Sequence, residues 1–256
     1  MSPQVHFEHI VCGVDSTPES LVAVGQAARL LEQHGTLRLI AAADVAKAAH
    51  AGIAAVHAAD QLQEEAETAL ERARSLAPSA EAHVVDGDAA TVLLREAEQA
   101  ALLVVGSHGR GRTAGILLGT VAARALRDAP SSVLVAREAR DAESWPRTVV
   151  VGVDGSETSA VAAAVARALA ERFGATVRAV AAANDQLDRE AARAIAPELE
   201  EVPGRAVDTL AAAGDEADLL IVGSRGLHGL KALGSVSERV AYQVSCSVLV
   251  VRTAPR

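Results

Sequence analysis

Short apolar runs alternate with longer polar segments of helical periodicity along the whole chain. An apolar run bounded by turn residues predicts a buried strand, whereas apolar residues three and four positions apart predict an amphipathic helix. The strands predicted in the first half are residues 10–14, 37–43, 81–85, 102–105 and 132–137. The helices predicted between them are residues 16–35, 59–76, 88–99 and a segment that ends at Arg127. The second half repeats this order from Thr148 to Arg252.

This alternation predicts an α/β fold. Strands that are apolar throughout and are separated by helices require a parallel sheet that is covered on both faces. We therefore expect two tandem doubly wound parallel five-stranded sheets of Rossmann-like type. The polar segment 140–147, which contains Pro146, has the composition of a linker. The predicted domains are residues 1–140 and 147–256.

The two halves share motifs that suggest a tandem duplication. Asp15 and Asp154 each follow the first strand of their half, and Gly106 and Gly223 each follow the fourth. The aspartates lie 139 positions apart but the glycines only 117, so the second half has lost 22 residues between these motifs. The loss falls around the second helix of that half, and we expect it to remove one wall of any crevice there.

Glycines cluster where the fourth strand of the first half ends. Gly106 and Gly109 follow this strand, and Gly119 and Thr120 precede the next helix. In an open parallel sheet, ligands bind outside the carboxyl ends of the strands, where glycine N–H groups and a Thr hydroxyl suit a phosphate. Asp15 could accept from ribose or adenine groups or hold a metal ion. The alternative is that Asp15 caps a helix and the glycines serve only the turns.

Composition excludes several partners. The net charge is −9, from 33 acidic and 24 basic residues without a basic block, which argues against duplex nucleic acid. The chain has neither an apolar run long enough to cross a membrane nor a signal peptide, so we expect a cytosolic protein without a membrane partner. Half of the 256 residues are hydrophobic, enough for two cores. Cys12 and Cys246 are expected to be buried.

The sequence lacks the motifs of several enzyme classes. No P-loop sequence exists, and lysine occurs only at positions 47 and 231. A dinucleotide fingerprint at residues 109–114 follows the fourth strand instead of the first, and no acidic residue waits at the end of the next strand. No Ser/His/Asp arrangement occupies strand ends, and the histidine pairs lack a third metal ligand. We therefore predict no catalytic residues.

The glycine motif resembles that of the universal stress protein family, which is Gly-x2-Gly-x9-Gly-Ser/Thr together with an Asp at the end of the first strand. Gly106, Gly109, Gly119 and Thr120 match this spacing throughout. The resemblance implies the strand order 3-2-1-4-5 and binding of ATP, with Mg²⁺ as the expected companion. His108 and Arg110 lie in the glycine turn, where they could meet phosphate or remain solvated. The candidate nucleotide site of the first half is Asp15, Ser16, Ala42, Gly106, His108, Gly109, Arg110, Gly119 and Thr120.

The second half departs from the family motif. Gly226 and Gly234 are separated by seven residues instead of nine, which shifts the following helix start. The candidate residues of this weaker site are Asp154, Gly223, Gly226, Gly234 and Ser235.

The last strand of each half, residues 132–137 and 247–252, is apolar and would lie at the edge of its sheet. The resemblance implies that the halves dock through these strands about a pseudo-twofold axis, and a further homodimer is compatible with this. Our first hypothesis is a non-enzymatic, ATP-binding stress protein that at most hydrolyses ATP slowly. The alternative is a nucleotide-free interaction module that recruits a protein through the helix predicted at residues 59–76.

Overall fold

The computed structural model describes residues 7–45, 55–107, 118–184, 187–224 and 236–253, with the backbone alone at residues 55 and 56. These residues form two compact units, which divide between Ser131 and Ser132. Each unit is an α/β structure whose strands are mostly parallel, as the periodicity predicts. The domain boundaries at residues 140 and 147 stay predictions.

The described residues of the first unit form four strands, four helices and a 3₁₀ turn. Its sheet has the order β3-β2-β1-β4, and β1 is parallel to both of its neighbours, β2 and β4. Ile10 in the centre of this sheet lies opposite Leu37 on one side and Leu102 on the other. The elements are β1 His9–Val14, α1 Pro18–Leu30, β2 Thr36–Ala43, α2 Ala55–Leu76, β3 Glu81–Asp86, α3 Ala89–Glu96 with a 3₁₀ turn at Ala97–Gln99, β4 Leu102–Gly106 and α4 Thr120–Asp128.

The second unit repeats this plan with one added strand. Its order is β5-β10-β9-β6-β7-β8, so β6 to β10 follow the order 3-2-1-4-5 that the resemblance implies. Within this sheet β5 pairs antiparallel with β10, and the other pairings are parallel. The elements are β5 Ser132–Ala136, β6 Thr148–Gly152, α5 Glu157–Phe173, β7 Thr176–Ala183, α6 Arg189–Ile195, β8 Glu200–Pro203, α7 Ala206–Asp215, β9 Leu219–Ser224, α8 Val236–Gln243 and β10 Ser247–Arg252.

The pairing of β5 with β10 joins the two apolar strands that the sequence places at the end of each half. Leu134 lies opposite Leu249, and both side chains are fully buried. The main-chain N–H of Arg137 donates to Ser247 Oγ at 3.0 Å, and that of Arg252 donates to Ser132 Oγ at 3.2 Å. The two strands therefore make reciprocal contacts at both ends, as expected for duplicated segments that meet antiparallel.

Helix α1 begins at Pro18, two residues after the predicted start, and ends earlier than predicted. The Thr17 side chain accepts from the N–H of Ser20, and Pro18 occupies the first turn, where its missing N–H costs nothing. The helix was expected to reach Gly35 but ends at Leu30. The Thr36 N–H donates to Glu8 O at 2.7 Å, which turns the chain into β2.

Both cysteines are buried and form no disulfide. Burial raises the pKa of the Cys12 thiol well above its usual range. Burial also raises the pKa of Cys246, to about 12, although the Arg137 charge works in the opposite direction. Both thiols therefore remain protonated at neutral pH and pack as small apolar side chains.

The segment predicted to be a linker is fixed to the second unit. Trp145 is 1% exposed, and its Nε1 donates to the main-chain oxygen of Asp218 at 3.0 Å. The Asp218 carboxylate accepts the N–H groups of Arg147 and Thr148, each at 2.9 Å. It also accepts the Thr148 hydroxyl at 3.0 Å. One carboxylate thus holds the chain between Trp145 and β6.

Replacing Asp218 with Ala should destabilise the second unit by about 2 kcal/mol, because three donors lose one charged acceptor. Denaturant unfolding followed by the fluorescence of Trp145, the single tryptophan of the chain, measures this directly. Asp141→Ala is the matched control, since the hydrogen bonds of Asp141 go to Glu143 and Ser144 in its own exposed turn. Equal midpoints for the two variants would show that Asp218 does not anchor this segment.

Candidate functional site

Asp15 organises the turn between β1 and α1. Its Oδ1 accepts the N–H of Thr17 at 2.9 Å and also the Thr17 hydroxyl. The Ser20 hydroxyl donates to the main-chain oxygen of Asp15 at 2.7 Å. Asp15 is half-buried and Ser16 is exposed. The carboxylate therefore has a structural role in the turn before α1, which is the alternative that the sequence left open. These hydrogen bonds also hold the carboxylate at the carboxyl end of the sheet.

Gly106 at the end of β4 lies against the start of α1. A Cβ at this position would stand 2.9 Å from the main-chain carbon of Glu19 and 3.0 Å from its oxygen. Real Cβ atoms do not approach main-chain atoms this closely, so the strand and helix can pack here only if the residue is glycine. Gly106 consequently has a packing role whether or not a ligand is bound.

The start of α4 lies beside the end of β4. The N–H of Gly119 donates to the Ser107 oxygen at 2.7 Å, which holds these two residues together. Gly119 is the N-cap residue of α4 and supplies no side-chain cap, and Thr120 is exposed in the first turn. The main-chain N–H groups of this turn are therefore not covered by a capping side chain, which is the arrangement that favours an anion.

Ala42 completes the described part of the first-half site. Val14 of β1 lies opposite Ala41 of β2, which places Ala42 level with Asp15 at the carboxyl end of the sheet. The structure thus brings Asp15 and Ala42 to adjacent strands, and Gly106, Gly119 and Thr120 to the neighbouring β4–α4 connection. His108, Gly109 and Arg110 lie outside the described residues.

A cavity of about 370 Å³ opens at the corresponding place in the second unit. It lies at the carboxyl ends of β6, β7 and β9, beside the starts of α5 and α8. Its lining residues are Gly152, Val153, Asp154, Ser156, Thr158, Ser159, Val180, Ala181, Ala182, Asn184, Leu187, Ala206, Leu210, Val222, Gly223, Val236 and Ser237.

Asp154 repeats the geometry of Asp15 at the mouth of this cavity. Its Oδ1 accepts the N–H of Ser156 at 3.0 Å and the Ser156 hydroxyl at 2.6 Å. Partial burial raises the pKa of Asp154, but the hydrogen bonds from Ser156 lower it further, so the pKa lies below its usual value. The carboxylate is therefore charged at neutral pH.

Gly223 ends β9 as Gly106 ends β4, with an even closer approach. A Cβ on Gly223 would lie 2.5 Å from the main-chain oxygen of Thr158. Gly226, Gly234 and Ser235, the other second-half candidates, lie outside the described residues.

The shortened connection of the second half still forms a wall, contrary to the expectation from its length. Leu187 and Asn184 line the cavity. The adjoining helix α6 approaches Gly155, where a Cβ would lie 2.8 Å from the Asp188 oxygen. Gly155 has a φ of 88°, a conformation that favours glycine. The lost residues are thus replaced by a closer path of the chain.

Several polar residues of the cavity were not predicted. Ser156, Thr158, Ser159 and Ser237 supply hydroxyl groups to its lining. A sequence signal was present for Ser156 and Ser159, because they follow Asp154 much as Thr17 and Ser20 follow Asp15. No such signal marks Ser237, which reaches the cavity only through the placement of α8.

The described residues include no metal-binding group of three or more His, Cys, Asp or Glu side chains. In the same part of the chain, no helix has the length and apolar character needed to cross a membrane.

The strand order and the site geometry define a doubly wound α/β protein with candidate ligand crevices at the carboxyl ends of its strands. A sequence model of the universal stress protein family matches residues 6–137 and 179–252. The chain belongs to this family.

Its relatives include universal stress proteins of mycobacteria. A universal stress protein of Mycolicibacterium smegmatis is 30% identical over 285 aligned positions, covering 95% of this chain and 96% of that protein. Universal stress protein Rv1996 of Mycobacterium tuberculosis is 32% identical over 208, covering 72% of this chain and 66% of its own length. The crystal structure of a universal stress protein from Archaeoglobus fulgidus has a TM-score of 0.78 at 21% identity, covering 98% of this chain and 99% of that one.

Proposed function

We propose that this protein is a non-enzymatic stress-response protein that binds ATP with Mg²⁺ in its first half. The observation that supports this most directly is the start of α4, where Gly119 leaves the first-turn N–H groups without a side-chain cap next to the end of β4. The intact glycine spacing in the first half adds to this support.

In this proposal, two sets of groups contact different parts of the nucleotide. The N–H groups of the first turn of α4 from Thr120 onwards, with the Thr120 hydroxyl, donate to phosphate oxygens. Asp15 and the main chain at Ala42 lie towards the nucleoside. Gly109, His108 and Arg110 follow β4 in the sequence and lie outside the described residues; in this proposal their N–H groups and the guanidinium offset phosphate charge. Mg²⁺ would neutralise further phosphate charge.

Bound nucleotide would act as a regulator in this proposal and not as a substrate. The sequence offers no residue assigned as a general base, so ATP hydrolysis is expected to be slow. A ligand that stabilises one conformation shifts the population of that conformation, which is how occupancy of the site can be read by a partner.

Titration calorimetry of ATP with Mg²⁺ tests the site in nucleotide-free protein. We expect about one equivalent to bind to the intact chain, and a Gly109→Val, Gly119→Val variant to lose at least tenfold in affinity, because the side chains cover the anion-binding N–H groups. The matched control is Gly226→Val, Gly234→Val in the second half, which should keep this binding. Absence of heat with the intact chain, or equal affinity in the first variant, would contradict the proposal.

The alternative interaction module has less support from the structure. The apolar side of α2 is already used inside the unit, because Ala66, Ala69, Leu70 and Ala73 are buried. A partner recruited by this helix would therefore meet its acidic outer face. Retention of partner binding by nucleotide-free protein carrying the Gly109→Val, Gly119→Val changes would favour this alternative.

A further inference from the structure

A short helix with a largely alanine inner face carries the proposed phosphate-binding N–H groups. The buried residues of α4 are Ala122, Ala125 and Leu126. Alanine buries little apolar area, so polar contacts contribute a larger share to the position of this helix. One such contact is the hydrogen bond between Gly119 and Ser107 at its first turn.

A second polar contact joins α4 to the start of α3 through Arg124. Its Nη1 donates to Asp88 Oδ1 at 2.7 Å, and its Nη2 donates to the Thr91 hydroxyl oxygen at 3.2 Å. Asp88 is the N-cap residue of α3, and its Oδ1 also accepts the Thr91 hydroxyl at 2.8 Å and the Thr91 N–H at 3.1 Å. The two hydrogen bonds from Thr91, and then the Arg124 guanidinium, hold the pKa of Asp88 below its usual value. The carboxylate is therefore charged at neutral pH.

This contact orients α4 more strictly than a simple surface ion pair would. The side chains of Arg124 and Asp88 are 38% and 46% exposed, and a single ion pair at such exposure stabilises a protein little. Here, however, the helix cap fixes both acceptors, and the planar guanidinium bonds to the two of them at once. Helix α3 itself lies against the sheet, since Val92 and Leu93 are buried. Arg124 thus relates the direction of α4 to the sheet.

The contact lies one helical turn from the proposed phosphate site. Thr120 precedes Arg124 by four residues, so their side chains lie on the same face of α4 with Cβ atoms about 5 to 6 Å apart. A shift of the helix at Arg124 therefore changes where its first-turn N–H groups point. Binding of an anion at a helix start depends on that direction.

The second half carries two arginines at the corresponding positions. The N-cap residues of α3 and α7 each follow a glycine with a positive φ, and they are Asp88 in the first half and Arg205 in the second. Arg239 of α8 corresponds to Arg124, because each lies five positions after the last glycine of its motif. Two guanidinium groups repel each other. The attraction between these positions therefore belongs to the half in which the glycine motif is intact.

We propose that Arg124 is a positioning residue of the first-half site, which acts through Asp88 and Thr91 to fix the direction of the α4 N-terminus and so strengthens phosphate binding. Arg124 acts through the helix and not by contact with the ligand. This inference rests on the proposed binding of ATP and deepens it, because it names the contact that holds the phosphate-binding turn in place.

Titration calorimetry of ATP with Mg²⁺ tests the proposal on the full chain. Arg124→Met keeps the apolar stem and removes the donors, and we expect ATP affinity to fall by about five- to tenfold. Asp88→Ser keeps an N-cap side chain for α3 but removes its charge, and it should cause a similar loss. The double variant should be little weaker than either single variant, because both changes break the same contact.

Two further variants separate positioning from other effects. Arg124→Lys restores the charge without the planar fork and should recover part of the affinity. Arg239→Met in the second half is the matched control and should bind ATP as the intact chain does. Hydrogen exchange of the ligand-free Arg124→Met protein should be faster in α4 and unchanged in the strands of the first unit.

The outcomes distinguish this inference from the proposed function. Unchanged ATP affinity in Arg124→Met, losses that multiply in the double variant, or faster exchange throughout the first unit would overturn the positioning role while ATP binding by the intact chain still stood. An intact chain that binds no ATP would overturn the proposed function and this inference with it.

Discussion

Leu249→Lys is expected to unfold the second unit at moderate temperature. Leu249 is fully buried in β10, opposite Leu134 of β5 on one side and Ile221 of β9 on the other. An ammonium group at this position has no anionic partner among these apolar neighbours, and burial of an unpaired charge costs several kcal/mol. We expect a loss of about 4 to 5 kcal/mol, a large part of the stability of an ordinary domain.

Circular dichroism and Trp145 fluorescence report this unfolding, since Trp145 is buried in the same unit. Leu134→Lys should have a similar effect, because the two leucines face each other across the pair of strands. Leu249→Met keeps the volume and should cost less than about 1.5 kcal/mol. Gln243→Lys adds the same charge at an exposed position and controls for net charge. A Leu249→Lys protein as stable as these controls would refute the packing of β10.

Gly223→Ala should destabilise the second unit by about 1 to 3 kcal/mol. The new Cβ would meet the main-chain oxygen of Thr158 at 2.5 Å and its carbon at 2.6 Å. Main-chain atoms in the first turn of α5 cannot rotate away as a side chain can, so the helix and strand must separate. Gly106→Ala should act in the same direction in the first unit, where the closest atom is 2.9 Å away.

Gly25→Ala is the matched control for these glycines. Gly25 lies within α1 with no atom inside 4 Å of its would-be Cβ, so alanine should stabilise by roughly 0.5 to 1 kcal/mol through higher helix propensity. Chemical denaturation of the three variants gives the comparison. If Gly223→Ala were neutral, the close approach of β9 and α5 would be in doubt.

The same glycine can serve both ligand binding and packing. The spacing of these glycines in the sequence predicts phosphate binding, and for Gly106 this stays a prediction. The structure adds a packing reason that operates without ligand, because the main chain of α1 crosses directly over Gly106. Loss of ATP binding in Gly106→Ala would therefore have to be separated from loss of stability, which is why the binding test uses Gly109 and Gly119.

Local patterns were sufficient for the order of helices and strands and for the start of α1. Thr17 and Pro18 act within one turn, so their neighbours in sequence are also their partners in space. The end of α1 was missed because it depends on a contact with the residue just before β1, where the Glu8 oxygen accepts the Thr36 N–H. The closure of the second-half cavity was missed for a related reason, since sequence length alone does not say how closely a shorter chain can approach Gly155.

The duplicated α/β plan follows from periodicity, because the apolar positions of each segment determine by themselves which faces of that helix or strand are buried. The buried character of the cysteines and the position of Asp15 and Asp154 after their strands follow from the same local logic. Only the tertiary structure shows that the main-chain oxygen of Asp218 accepts the Trp145 Nε1–H, that Ser237 lines a cavity, and that β5 pairs with β10 in a particular register. Each of these depends on groups far apart in the chain, whose meeting is set by the path of the backbone and by packing between elements.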